Sequence, residues 1–197
     1  MARLEVPLFP LNTVLFPGGT LPLRIFEPRY LKMVCNCTKQ TSGFVVVAII
    51  EGKEVGEVAK FHGVGTLAHI IDFDRLDNGL LGITCRGEQR LRVETQRSQE
   101  DGLLIGEVEA IPADPPQTLQ PRHKPMVDLL RNVLTWEEIQ PYIRFLAEDW
   151  QDAAWVSNRL AELLPLPISA KQILLELRDP TQRLDVLQTL LREQKVS

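Results

Sequence analysis

Three histidines, three cysteines and a knot of carboxylates are the side chains of this 197-residue chain best equipped to do chemistry. His62 and His69 flank the start of one apolar segment and His123 stands far along the chain, while Cys35 and Cys37 lie two apart and Cys85 is distant. A zinc site needs three or four such ligands converging within bonding distance. Residues two apart on a helix point about 200° from each other, so Cys35 and Cys37 do not chelate as a pair. No metal is expected. Asp72, Asp74 and Asp77 gather beside a turn, where turn chemistry accounts for acidic residues without a general-acid role. The pair Gly52-Lys53 is followed by Glu54, where a phosphate-cradling loop requires Ser or Thr, and no G-x-S-x-G elbow occurs. The chain is therefore expected to carry no catalytic set and no cofactor. Its odd number of cysteines makes no disulfide framework and points to a reducing cytoplasm.

A different kind of chemistry is offered by FPGGTLPLRIFEPRY, residues Phe16 to Tyr30. Leu21, Leu23 and Ile25 fall on one face of a strand, and Pro22, Arg24 and Phe26 fall on the other. Pro22 cannot donate to a ladder, so this strand belongs at an edge or a bulge. Gly18-Gly19 supplies the left-handed backbone of a sharp turn. Pro28 opens a helix, with Glu27 at its positive end and Leu31, Val34, Cys35 and Thr38 along one face. Arg24, Phe26, Glu27, Arg29 and Tyr30 then form a candidate protein-binding surface, combining an apolar body, guanidinium groups and a phenol, types enriched at interfaces.

The elements that must hold this surface follow from periodicity. Phe44 to Ile50 is a strand-length apolar run. Val64–Phe73 and Leu80–Cys85 flank Asp77-Asn78-Gly79, a strong hairpin signal. Arg90 to Glu94 alternates as a further strand, and Asp101-Gly102 turns into a last one. Short strands with hairpin turns and one inserted helix predict a small antiparallel barrel or sandwich, between which periodicity does not choose. Composition changes at Pro112. Pro112, Pro115, Pro116, Pro121 and Pro125 predict a stiff extended linker over residues 113–125, and residues 126–197 read as a helical bundle. There Val156, Leu160, Leu163 and Leu164 make an apolar stripe, Ser169 with Gln172 reads as a capping box, and Asp179-Pro180 starts a last helix. Trp136, Trp150 and Trp155 read as part of an ordinary helical core, or as the mark of a partner groove.

Charge narrows the partners. The net charge of −4 is shared evenly between the two halves, so a nucleic acid backbone is a poor partner. No apolar run approaches the roughly 20 residues of a membrane-spanning helix.

Leu4 to Val34 closely resembles the opening block of the Lon N-terminal (LON substrate-binding) domain family, in its bacterial single-domain form. Gly63 to Ile70 is similar to that family's Gly-Thr strand, Cys85 to Val93 to its Gly- and Arg-containing strand, and Leu160 to Leu191 to its closing helices. The resemblance implies an α+β fold: a PUA-like antiparallel β-barrel over residues 1–112 followed by an α-helical bundle. It also implies a non-enzymatic module, with no ATPase or protease segment, that binds unfolded or exposed apolar polypeptide segments, as a recognition adaptor for a protease or chaperone machine. RNA binding, known among PUA-like folds, and small-molecule binding without catalysis are the alternatives.

Overall fold

The computed structural model describes residues 4–54 and 60–194. The chain divides into two compact units that meet between Pro112 and Ala113.

The first unit runs β1 (Leu4–Leu11), β2 (Thr20–Ile25), helix α1 (Pro28–Gln40), β3 (Phe44–Glu51), β4 (Lys60–Phe61), β5 (Val64–Arg75), β6 (Leu81–Ser98) and β7 (Leu104–Ala110). Neighbours pair in the order β1-β7-β6-β5-β3, and β3 returns to β1, so five strands close into a ring. Every pair in that ring is antiparallel except the closing one, β1 with β3, which is parallel. The sheet is thus a barrel, with β4 added beside β3 and β2 beside β6.

The first strand is absent from the sequence reading, because Pro7 and Pro10 interrupt its apolar run. The barrel shows how they are tolerated. β1 pairs with β7 over Leu4–Leu8 and with β3 over Leu8–Leu11. The two prolines have opposite parity, so each can turn its donorless nitrogen to the side on which the strand has no partner there. β6 is one continuous strand in place of the two short ones expected, shifting register against β5 and β7 at bulges. Both hairpin turns form where the sequence places them: Gly79 and Gly102 have φ of 78° and 82°, and Asn78 and Asp101 accept the N–H groups of Leu80 and Leu103.

The strands bury side chains on both faces, which is why β3 reads as an unbroken apolar run. Val6, Leu8, Val45, Val47, Leu104 and Val108 pack among the strands. Phe9, Leu11, Ile25, Phe44, Val46 and Ile105 pack with α1. The helix turns Tyr30, Met33, Val34 and Cys37 inward, not the expected face of Leu31, Val34, Cys35 and Thr38; Leu31 and Cys35 are exposed. Burial raises the Cys37 thiol pKa, and burial with Cys37 nearby pushes Cys85 up to about 12. Neither is a ready nucleophile at neutral pH.

The second unit holds α2 (Lys124–Val133), α3 (Gln140–Ile143), α4 (Ala153–Leu163), α5 (Ile168–Glu176) and α6 (Pro180–Gln194). Where an extended linker was expected, Pro121–His123 forms a 3-10 turn and α2 begins at Lys124. The residues before it are strapped to the helices: the Gln117 carbonyl accepts from Ala153, Thr118 bridges Asp152, and Asp114 pairs with Arg183 at 2.9 Å. Asp152 caps α4 and Asp179 caps α6. Ser169 is not the cap, because α5 begins at Ile168, two residues earlier than a Ser169 cap requires, with Pro167 at the N-cap. Val156, Leu160 and Leu164 are buried as the stripe predicts. Of the tryptophans, Trp150 and Trp155 meet edge-on at 5.0 Å under Arg131, while Trp136 is exposed.

Candidate functional site

The opening loop sets the position of β2. Val14, Leu15 and Phe16 are buried, and the Thr66 hydroxyl donates to the Leu15 carbonyl at 2.5 Å. Gly18, at φ 77°, donates to the Gly87 carbonyl, and the Gly87 N–H returns a bond to Gly19 at 2.9 Å. A side chain on Gly87 would meet the Phe16 carbonyl at 2.5 Å, so only glycine lets the loop lie this close. The Gly-Thr strand and the Gly-containing strand therefore serve to clamp this loop.

From there β2 pairs with β6 alone among the described residues. Leu21 and Leu23 pack against the core and Ile25 is fully buried, while Pro22, Arg24 and Phe26 face outward, Phe26 being 50% exposed. Glu27 stands at the N-cap of α1 without capping it. Its carboxylate meets Arg29 at 2.9 Å, Arg29 donates to the Gly102 carbonyl, and Lys32 meets Asp101 at 2.9 Å. These contacts tie α1 to the β6–β7 turn. Tyr30 is 6% exposed; its ring stacks on Phe9, centroids 4.0 Å apart, with Phe44 behind.

The five residues singled out from the sequence thus divide. Arg24 and Phe26 are on the surface, Glu27 and Arg29 are largely committed to each other and to the turn, and Tyr30 lies inside rather than displayed. Four of them, Arg24, Phe26, Glu27 and Tyr30, line one groove of 370 Å³, while Arg29 lies outside it, beside the Asp101-Gly102 turn. Phe9 and Tyr30 form its floor, Leu11, Pro22 and Leu23 its walls, and Arg24, Phe26, Glu27 and Glu54 its rim. As lining residues, sequence reasoning missed Phe9, Leu11, Pro22, Leu23 and Glu54. Phe9 and Leu11 belong to the unrecognised β1, and its apolar-proline pattern was the available signal. A second depression, of 480 Å³, lies between Pro28, Lys32 and the Asp101-Gly102 turn, where the charges neutralise one another.

The other chemical candidates stay apart. His69 lies 3.5 Å from Glu88 on the barrel, and His123 is buried against Asp185 at 2.9 Å in the helical unit. Among the described residues no three His, Cys, Asp or Glu side chains are grouped to hold a metal ion, and no helix is long and apolar enough to cross a membrane.

Burial raises the Tyr30 pKa, Arg29 opposing and the charges of Glu27 and Glu54 assisting. In the helical unit burial, with the charge of Glu162 beside it, raises that of Tyr142, whose hydroxyl donates to Glu162 at 2.6 Å. These are the chain's two tyrosines, one in each unit. Unfolded, each ionises near 10. A folded pKa above that value means the folded chain holds protons that the unfolded chain has lost, so stability is intact below pH 10 and falls as pH rises beyond it, by up to about 1.4 kcal/mol per pH unit for each phenol. An alkaline titration is expected to show tyrosinate absorbance only as the fold is lost. A phenol ionising near pH 10 in a chain with native circular dichroism would contradict the packing described.

A barrel followed by a helical unit is the fold shared with a solved Lon N-terminal domain. The family model described as "ATP-dependent protease La (LON) substrate-binding domain" matches residues 5–193, and the chain belongs to that family. The crystal structure of a Lon N-terminal domain protein from Xanthomonas campestris is 37% identical and superposes with a TM-score of 0.77 over 94% of this chain and 98% of that one. "Lon protease 2" of Herpetosiphon aurantiacus is 28% identical over 97% of this chain, which spans 24% of that protein's length. "Protein cereblon" of Danio rerio is 34% identical over 55% of this chain and 26% of its own.

Proposed function

We propose that this chain is a binding module for exposed apolar stretches of polypeptide, performing no reaction itself and presenting clients to a protease or chaperone machine in the cytoplasm. The observation that carries the reading is the Phe9–Tyr30 floor opening beside the half-exposed ring of Phe26. Membership of the Lon substrate-binding family supports it, as does the even, slightly acidic charge, which suits a polypeptide better than RNA.

Magnitudes suit a weak, general binder. A segment burying about 400 Å² of apolar surface gains roughly 10 kcal/mol. Rigid-body and ordering losses remove several kcal/mol of that, leaving an affinity in the micromolar range. Titration of an unfolded polypeptide onto the purified chain is expected to saturate in that range. Phe26→Ala removes an exposed ring without opening the core and is expected to weaken binding about tenfold. Absence of saturable binding into the high micromolar range, or equal binding by Phe26→Ala, overturns the reading.

A further inference from the structure

Resting on that reading, we propose that the groove takes its polypeptide as an added strand along β2, and that it selects segments bearing an acidic side chain two residues from the apolar anchor, the carboxylate being held by Arg24. The barrel wall has a gap here. β5 occupies one edge of β6; the other edge carries β7 along Leu91–Ser98 and β2 along Leu81–Arg86. β7 in turn reaches β1 only as far as Leu8, so the same side of Phe9–Leu11 has no strand against it. The outer edge of β2 faces that vacancy, and the groove is lined from both sides of it, by Phe9 and Leu11 and by Pro22, Leu23 and Arg24.

Register determines what β2 offers. The bond from the Gly87 N–H to Gly19 makes Gly19 a position bonded to β6, and alternation then turns Leu21, Leu23 and Ile25 toward β6 and Pro22 and Arg24 outward. Pro22 therefore forfeits nothing in the ladder with β6. The Pro22 carbonyl and both backbone groups of Arg24 are left to receive an extended segment, the geometry by which a peptide joins a sheet edge.

Charge and spacing define the occupant. Arg24 has no hydrogen-bond or ion-pair partner among the described residues. Glu27 is neutralised by Arg29, and Glu54 accepts the Asn12 N–H at 2.6 Å. Glu54 keeps its charge in the groove, so Arg24 is, among the described residues, the cation without a counter-ion on the β2 rim, beside Phe26. Arg24 and Phe26 are two residues apart on one face, about 7 Å along an extended chain. A ligand strand beside them shows the same period, so its apolar and acidic side chains meet both when they too are two apart. The guanidinium fork matches a carboxylate.

The test uses the full chain and short synthetic peptides with both termini blocked, which removes the terminal carboxylate as a source of charge. The reference peptide carries phenylalanine with glutamate two residues away; others replace that glutamate by glutamine or lysine, or move it next to the phenylalanine. At low salt the reference is expected to bind about tenfold more tightly than the glutamine, lysine and shifted peptides. Arg24→Gln is expected to erase these differences, and Arg24→Glu to favour the lysine peptide. If the glutamine or shifted peptide binds as well as the reference, this inference falls and the polypeptide-binding reading stands. If none of the peptides binds while unfolded polypeptide does, this inference falls alone; if neither binds, both fall.

Discussion

Arg183→Ala is expected to destabilise the helical unit by about 3–5 kcal/mol. The Arg183 side chain is 1% exposed. It donates to the carbonyls of Leu174 and Leu177 at the end of α5, to the Ser157 hydroxyl of α4 at 3.0 Å, and to Asp114 at 2.9 Å. One guanidinium thereby satisfies carbonyls that a helix end leaves without partners, and neutralises a carboxylate that is itself 8% exposed. Truncation strands all of these groups in a site closed to water. All three tryptophans lie in this unit, so urea unfolding followed by tryptophan fluorescence reports on it directly. A loss below about 1 kcal/mol would show that Arg183 behaves as an ordinary surface arginine.

Gly87→Ala should produce the second large effect, in the barrel. The added methyl would lie 2.5 Å from the Phe16 carbonyl, 3.0 Å from Leu15 and 3.1 Å from Thr66. The first of these is backbone, so relief requires moving the loop that launches β2. The cost is expected to be about 3 kcal/mol, at the upper end for overpacking. Because the displaced loop sets the groove wall, peptide affinity is expected to fall together with stability. Gly63→Ala is the control: it meets nothing within 4 Å and should change stability by less than about 0.5 kcal/mol. Equal melting of the two variants would contradict the described approach of loop and strand.

Legibility from sequence varied with how local each cause is. Both hairpin turns were readable because Asn78-Gly79 and Asp101-Gly102 determine their own geometry. Asp179 was readable as a cap for the same reason. β1 was not, since its prolines are tolerated only because β7 and β3 share the strand between them. The inward face of α1 was displaced because Tyr30 and Met33 bury more completely than Leu31 and Cys35, a choice made by Phe9 and the strands beneath. Arg183 gave no signal, since an arginine reads as surface until its four acceptors are brought around it. At the site, the sequence indicated the exposed Arg24 and Phe26, while the depth of the groove depends on Phe9, contributed from a strand that went unrecognised.

The pairing of the first barrel strand with the last has a temporal side. Leu4 meets Val108, so the strand synthesised first cannot be fully seated until the last strand of the barrel has left the ribosome. Contacts of that span form slowly, and until then Val6, whose partner is Gly106, is left without its neighbouring strand. While it is being made, the nascent barrel is itself an apolar chain of the kind the groove is proposed to bind, until its first strand locks home.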